Sequence, residues 1–267
     1  MPPPPDDRFT ARLIFLHGFT QTHHHWHPVA SAILESGNGT RSAALVDLPG
    51  HGLSDGDRSA IDATATCLPD IAGAGTYIGY SMGGRIALLA AVSGHPAIER
   101  LVLVGATAGI DDDDERSRRA RADGELADRV ERDGVAAFVD QWLTAPMFAG
   151  LPTDQDARAH RLRNSAPGLG HSLRSCGTGN QPSLWHRLDQ ITIPVLVIAG
   201  ELDHKFTEIG CRLLEHLEHG TLVSIDGAGH AAHTERPDLV TAAIMEWFGT
   251  TAGSGQPSAS PIANSRP

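Results

Sequence analysis

The chain has 267 residues, of which 40% are hydrophobic, and both values are ordinary for one large globular domain. Its formal net charge of −11 argues against nucleic acid or an anionic membrane surface as a general partner, because both bind basic patches. No apolar run approaches the roughly 20 residues that cross a bilayer, and residues 1–7 lack the basic start and apolar stretch of a secretory signal. We therefore expect a cytoplasmic protein, without membrane insertion, that is a monomer or a small homo-oligomer.

Neither the cysteines nor the clustered histidines and aspartates predict a metal or cofactor site. Cys67, Cys176 and Cys211 are odd in number and widely spaced, which favours buried free thiols over a disulfide framework or a zinc site. Residues 23–25 and 27 are histidines, but adjacent side chains on a helix point in different directions. Residues 111–114 lack the glycine and the distal glutamate of a calcium loop, so a solvated helix start is expected there. We expect no metal and no cofactor.

Short apolar runs alternate with helical patterns along most of the chain. Such runs are typical of strands buried on both faces of a parallel sheet, and helices between them imply right-handed crossovers. The sequence therefore predicts an α/β protein with a doubly wound, mostly parallel sheet. The predicted strands are Leu13–Leu16, Ala43–Leu48, Thr76–Ile78, Leu101–Gly105, Pro194–Gly200 and Thr221–Ile225, and helical patterns cover Trp26–Leu34, Arg85–Val92 and Asp238–Phe248.

The alternation stops between Asp111 and about Gln190, where no buried-strand run occurs. This segment has short helical patterns around residues 120–130, 135–143 and 154–163, so we interpret it as a helical cap. The predicted division is a core at 11–110 and 191–249, the cap at 111–190, a proline-led leader at 1–10 and a disordered tail at 250–267.

One stretch of the chain predicts a reactive serine. The apolar run 76–78 leads into Gly79-x-Ser81-x-Gly83 and then at once into a helical pattern, which is the strand, sharp turn and helix of a nucleophile elbow. Small glycines let the strand and helix pack closely around a serine whose backbone is strained. The N-terminus of the helix would stabilise negative charge beside Ser81.

A serine of this kind needs a histidine and a carboxylate, and two later positions supply them. In α/β-hydrolases the acid and the histidine follow the serine in that order, each on a loop after a late strand. Asp203 follows the predicted strand 194–200, and His230 follows the strand 221–225. We therefore predict a catalytic triad of Ser81, Asp203 and His230.

The loop after the first strand is expected to complete an oxyanion hole. The predicted donors are the N–H of Met82, next to the serine, and the N–H of Phe19, which Gly18 allows to turn inward. His17 and His51 are interpreted as scaffold residues on this side of the site. For Glu201 and Glu235, near the catalytic loops, surface solvation is the default expectation.

Arg85 falls one helical turn after Ser81, where its guanidinium would suit an anionic substrate. The alternative is an arginine paired with a carboxylate at the surface.

These segments resemble one family within the α/β-hydrolases, the 2-succinyl-6-hydroxy-2,4-cyclohexadiene-1-carboxylate (SHCHC) synthases of menaquinone biosynthesis. The similarity covers about residues 12–248. The motifs that are general to α/β-hydrolases are Leu16–Thr20, Asp47–Gly52 and Gly227–His233, and the more specific ones are Gly79–Arg85, Lys205–Phe206, Gln141–Ala149 and Arg161–Asn164.

The resemblance implies an α/β-hydrolase fold with a helical cap inserted after the fifth or sixth strand, and the two leading antiparallel strands absent or reduced to one. It also implies a lyase that eliminates pyruvate from a small polycarboxylate substrate, with the triad acting as a general base. Arg119 has rival alignments at Arg116, Arg118 and Arg121. The matching substrate-binding positions are Tyr80, Arg85, Arg119, Trp142, Phe148, Arg163 and Phe206.

Two other functions stay open at this stage. The same triad would serve a carboxylesterase or a carbon–carbon bond hydrolase, because the fold does not determine the function. A non-catalytic small-molecule receptor on this scaffold is the third possibility.

Overall fold

The structure is a computed structural model that describes residues 12–37 and 39–252. The predicted leader, and the predicted tail beyond residue 252, lie outside the described residues. Within them, every predicted apolar run overlaps an observed strand. The strands are β1 (Arg12–Leu16), β2 (Ser42–Val46), β3 (Gly75–Tyr80), β4 (Ile98–Val104), β5 (Val195–Gly200) and β6 (Gly220–Ile225).

The six strands form one parallel sheet in the order β2-β1-β3-β4-β5-β6. From β1 the chain runs outward to β2 and then returns to β3 on the other side of β1. Ligands of doubly wound sheets bind beyond the carboxyl ends of the strands at such a change of direction. The ends of β1 and β3, which precede His17 and Ser81, therefore define the position expected for a site.

Helices cover both faces of the sheet, which is why the central strands are continuous apolar runs. All six residues of β3 and of β5 are buried, whereas the edge strand β2 is partly exposed. The helices of the core are α1 (His27–Ser36), α2 (Ile61–Ala72), α3 (Met82–Val92), α8 (His204–Leu214), α9 (Ala232–Glu235) and α10 (Pro237–Ala252). No helix in the described ranges is long and apolar enough to span a membrane.

The cap lies between β4 and β5, within the predicted range 111–190. It follows β4, the fourth of the six described strands, rather than the expected fifth or sixth, because these strands are all parallel and neither leading antiparallel strand is among them. Its helices are α4 (Asp113–Asp133), α5 (Val135–Trp142), α6 (Gln155–Arg161) and α7 (Ala166–Cys176). The aspartate run starts α4 as expected, because Asp112 caps it by accepting a hydrogen bond from the N–H of Glu115 at 2.7 Å.

Two sequence expectations differ from the structure. The last helix continues to Ala252 and so enters the range predicted as a disordered tail. All three cysteines are free, but only Cys176 is buried; Cys67 and Cys211 are exposed because they lie on the solvent sides of α2 and α8.

Helix α3 packs unusually close to the sheet, and glycine makes this approach possible. A Cβ atom on Gly83 would lie 2.3 Å from the carbonyl oxygen of Leu16 at the end of β1. A Cβ on Gly79 would lie 2.5 Å from the backbone of Gly84. Neither backbone can move away without shifting a strand or the helix, so these glycines fix the position of Ser81 between them.

We predict that Gly83→Ala lowers the free energy of unfolding by about 1–3 kcal/mol, because the added methyl group overpacks a backbone contact. The matched control is Gly124→Ala in α4, where a Cβ meets no atom within 4 Å. Since alanine favours the helix there, the control should gain about 0.5–1 kcal/mol. Urea unfolding of both variants measures the difference, and equal effects would contradict the packing argument.

Candidate active site

Ser81 lies at the junction of β3 and α3 in a backbone conformation that residues other than glycine rarely adopt. Its φ is +47° and its ψ is −106°. Two hydrogen bonds hold it there: its N–H donates to the carbonyl of Val104 at 2.9 Å, and its own carbonyl accepts from the N–H of Arg85 at 3.0 Å. This strained turn, supported by β4 and α3, places the serine where the sequence predicts a nucleophile elbow.

His230 and Asp203 come together with Ser81 from two separate loops. The Nδ1–H of His230 donates to Oδ2 of Asp203 at 2.8 Å, and Nε2 lies 3.4 Å from the Ser81 hydroxyl oxygen. Asp203 is also the N-cap of α8 and accepts from the N–H of Phe206 at 3.3 Å. The arrangement leaves Nε2 as the acceptor for the hydroxyl proton, which is the geometry of a general base.

The loops that carry this pair are held by two glutamates that were expected to be only solvated. Glu235 accepts from the N–H groups of Gly229 and Ala231, at 2.7 and 3.0 Å, on both sides of His230. Glu201 accepts from the N–H of Gly227 at 2.8 Å. The surface expectation was therefore wrong for Glu235, which is half-buried, whereas Glu201 is exposed as expected and also accepts a bond from its neighbouring loop. Nothing in local sequence shows that a side chain folds back on a loop.

The N–H groups of Phe19 and Met82 are both available for a ligand. Within the described part of the chain, neither donates a hydrogen bond to a protein atom. Phe19 and Met82 line the same cavity as Ser81. Their backbone donors can therefore serve an oxyanion beside the serine.

His17 and His51 lie in the scaffold under this loop, as expected. His17 accepts from the N–H of Leu48 at 3.0 Å and donates from Nδ1 to the carbonyl of Gly18 at 2.8 Å. His51 donates from Nδ1 to the carbonyl of Pro49 at 3.0 Å. Burial lowers the pKa of His17 to about 4 and that of His51 to about 3, so both rings are neutral at neutral pH.

A cavity of about 340 Å³ opens above Ser81 between the core and the cap. Phe19, Trp142 and Phe206 provide aromatic walls, and the Phe206 ring lies 4.4 Å from that of His230. Tyr80 and Phe148 are buried beside His230, and their ring centroids lie 5.3 and 6.3 Å from that of His230. Both lie behind the residues that line the cavity. Both rings pack against the ring of His230, and their contact with a substrate stays a prediction.

Arg85 projects into this cavity and is almost completely buried, with 6% of its surface exposed. Its guanidinium donates to the carbonyl of Cys176 at 2.7 Å and to the side-chain oxygen of Gln181 at 3.2 Å. Burial lowers its pKa to about 10, so it stays charged at neutral pH. In the described residues no carboxylate lies within ion-pair distance of Arg85, which rules out the surface ion pair considered above.

Arg119 is the cap arginine that reaches the cavity. Its Nε donates to Asp123 at 2.7 Å, and both residues line the cavity. Arg116 instead pairs with Asp113, and Arg118 and Arg121 are exposed. Asp123 is fully buried, also accepts from the N–H of Gly179 at 3.1 Å, and was not predicted.

Lys205 is a third cation that lines the cavity. The sequence marks it only as part of the motif Lys205–Phe206, with no predicted role of its own.

The structure does not bring Arg163 to the cavity. Helix α6 ends at Arg161, and the turn that follows directs Arg161 inward and Arg163 outward. The guanidinium of Arg163 donates to Nε2 of His24 at 2.7 Å on an exposed side of the molecule. Its expected contact with the substrate therefore has no support in this geometry.

Three of the clustered histidines do come together, against the argument that their directions differ. His23, His24 and His27 each offer a ring nitrogen within 4.8 Å of the others, because a short 3-10 turn precedes α1 and places residues 23 and 27 on one face. Two of them are already engaged: His23 with Asp47 at 2.8 Å, and His24 with Arg163. The ring centroids of His23 and His24 lie 4.0 Å apart, with the ring planes tilted by 33°.

Known proteins resemble this chain in sequence and in fold. The sequence profile of the Alpha/beta hydrolase family matches residues 13–243, so the chain belongs to that family of enzymes. A relative from Bacillus subtilis (strain 168) is 35% identical over 250 residues, covering 88% of this chain and 89% of the relative. A relative from Salmonella typhimurium is named 2-succinyl-6-hydroxy-2,4-cyclohexadiene-1-carboxylate synthase. It is 34% identical, and the match covers 89% of this chain and 93% of the relative.

A solved structure is also similar: MenH from S. aureus, with a TM-score of 0.82, 31% identity, and coverage of 91% of this chain and 95% of that one. Within the α/β-hydrolases, the chain is therefore a member of the SHCHC synthase family.

The buried neutral histidines predict an acid-sensitive fold. Because the pKa of His51 is lower in the folded protein than the ordinary 6.5, the unfolded chain binds a proton first as the pH falls. The stability that His51 contributes is complete above about pH 6.5 and is lost progressively toward pH 3. Between about pH 7 and 4.5, wild type should lose roughly 2–3 kcal/mol more than His51→Asn.

Urea unfolding across this pH range tests the prediction. The control is His219→Asn, the same substitution at an exposed histidine. Parallel curves for wild type and His51→Asn would contradict the assignment of His51 as a buried neutral group.

Proposed function

We propose that this protein is an SHCHC synthase of menaquinone biosynthesis. It would eliminate pyruvate from 2-succinyl-5-enolpyruvyl-6-hydroxy-3-cyclohexene-1-carboxylate to give SHCHC. Membership in the family and the name of the Salmonella typhimurium relative support this assignment. The proposed site consists of Ser81, His230 and Asp203 with the donors Phe19 and Met82, and it needs no cofactor.

The observation that carries the proposal is the buried charge of Arg85, one helical turn from Ser81. A buried guanidinium without a carboxylate partner is costly unless a ligand neutralises it. The proposed substrate has several carboxylates, so it would supply the missing anion. Arg119 and Lys205 add positive charge to the same cavity, which is more than a neutral ester would require.

Asp123 has a role in this arrangement. A carboxylate in an anion-binding cavity would repel the substrate if it were free, but Asp123 is held by Arg119 and by the N–H of Gly179. Its bond to Nε leaves the terminal nitrogens of Arg119 for a substrate carboxylate. We infer that Asp123 orients Arg119 in the cavity.

The chemistry begins with proton transfer. His230, oriented by Asp203, accepts the hydroxyl proton of Ser81, and the resulting alkoxide removes a proton from the carbon next to the succinyl ketone. The electron pair of that C–H bond forms an enolate. The oxygen of the enolate is stabilised by the N–H groups of Phe19 and Met82.

In the second step the ketone re-forms from the enolate. The electrons of the enolate move through the ring and break the bond between the ring carbon and the oxygen of the enolpyruvyl group. The leaving enolate takes the proton held on His230 and becomes pyruvate, while Ser81 keeps the proton removed from the substrate. Atoms and charge balance without water and without a bond between Ser81 and the substrate.

Two substrates distinguish this function from the alternatives. The synthase releases pyruvate from the enolpyruvyl substrate, followed with lactate dehydrogenase, and hydrolyses p-nitrophenyl acetate only weakly. A carboxylesterase shows the reverse, and a receptor binds without turnover. Ser81→Ala should lower pyruvate release by at least about 10³-fold, and near-normal release by this variant would contradict the proposed base.

Arg85→Gln tests the charge in the cavity. Glutamine can keep a hydrogen bond to the carbonyl of Cys176 but has no charge for a carboxylate, so kcat/KM for the enolpyruvyl substrate should fall roughly 10- to 100-fold, mainly through KM. Arg132→Gln, at an exposed arginine paired with Asp133, is the matched control and should behave as wild type. An unchanged KM in Arg85→Gln would show that Arg85 does not bind the substrate.

A further inference from the structure

The turn that carries Phe19 contains a strained residue. The N–H of Gln21 donates to the carbonyl of Gly18 at 3.1 Å, closing a turn with Phe19 and Thr20 at its centre. Thr20 has a φ of +65°, a region that turns usually fill with glycine or asparagine. Among the described residues, Ser81 is the other non-glycine with a positive φ, so both strained positions flank the reaction site.

The cap holds this strained residue in place. Arg161 donates from Nη1 to the hydroxyl of Thr20, and Asn164 donates from Nδ2 to the carbonyl of Thr20 at 2.7 Å. The side-chain oxygen of Asn164 accepts from the N–H of Gly52 at 2.9 Å, which ties the same cap turn to the loop after β2. Thr20, Arg161 and Asn164 are all buried, so water does not compete for these bonds.

Arg161 is a buried cation, and the hydroxyl oxygen of Thr20 accepts a hydrogen bond from its guanidinium. In the described part of the chain no carboxylate pairs with it, and burial lowers its pKa to about 10. Arg161 therefore stays charged at neutral pH, although burial of a charge is unfavourable. A hydrogen bond from a charged donor is stronger than a neutral one, which suits a contact that must hold a strained backbone.

We propose that Arg161 and Asn164 are positioning residues that fix the N–H of Phe19 for the oxyanion by holding Thr20 in its left-handed conformation. This inference rests on the proposed oxyanion role of Phe19. The cap then closes the cavity and also sets the geometry of one catalytic donor. Arg161 acts through Thr20 and does not touch the reacting atoms.

The test uses diisopropyl fluorophosphate, a neutral reagent that needs no substrate-binding cation. The Ser81 oxygen forms a bond to phosphorus, fluoride leaves, and His230 takes the hydroxyl proton, while the phosphoryl oxygen occupies the oxyanion hole. Arg161→Met and Asn164→Ala should each slow this inactivation by at least about tenfold. Arg158→Met, at a partly exposed arginine of α6 paired with Asp140, is the matched control and should react as wild type.

A second measurement reports the loop without any reaction at Ser81. Amide hydrogen exchange in the peptide that contains Phe19 and Thr20 should become faster in Arg161→Met and Asn164→Ala, with thermal unfolding used to confirm that both variants fold. Neither readout uses the enolpyruvyl substrate, so they remain decisive if the proposed lyase reaction fails.

Thr20→Gly added to Arg161→Met provides a rescue. Glycine adopts the left-handed conformation without strain, so the inactivation rate should return toward that of wild type. Unchanged inactivation and exchange in the single variants would overturn the proposal, as would a double variant no faster than Arg161→Met. An effect limited to KM for the acidic substrate would instead make Arg161 a substrate-binding residue and would also overturn it.

Discussion

The close contact between helix α3 and the ends of β1 and β3 is the constraint on which the site depends. With no room for a Cβ at Gly79 or Gly83, the helix begins directly at the strand, and Ser81 is forced into a conformation with φ of +47°. The same contact brings the loop after β1 beside the start of α3. Serine, helix N-terminus and the N–H of Phe19 therefore share one small volume at the point where the sheet changes direction.

The cavity beside Ser81 is rich in positive charge. Arg85, Arg119 and Lys205 line the cavity, although the chain as a whole is strongly acidic, with a net charge of −11. The net charge of the whole chain says little about the charge inside one enclosed pocket. The cations come from α3, α4 and α8, so the core and the cap both contribute charge to the cavity.

Much of this arrangement could be predicted from sequence, because it depends on local patterns. Apolar runs predicted the six strands of the described residues, and the order of Ser81, Asp203 and His230 predicted three side chains that the structure brings together. What sequence missed depends on contacts between distant segments. No local pattern marks Asp123, which accepts a hydrogen bond from Gly179 in a distant part of the cap, or Glu235, which folds back on its own loop. The helical pattern of α7 is hidden by two interior glycines and Pro167. Arg161 and Arg163 differ only in which side of one turn they occupy.

The central claim is that Ser81 acts as a base and never becomes acylated. Intact-mass measurement of the enzyme, quenched during steady turnover of the enolpyruvyl substrate, tests this directly alongside pyruvate release. We predict one pyruvate for each substrate consumed and an enzyme mass equal to that of the untreated protein. A mass increase that maps to the peptide containing Ser81 would contradict the account and would make the protein a hydrolase-like acyl enzyme.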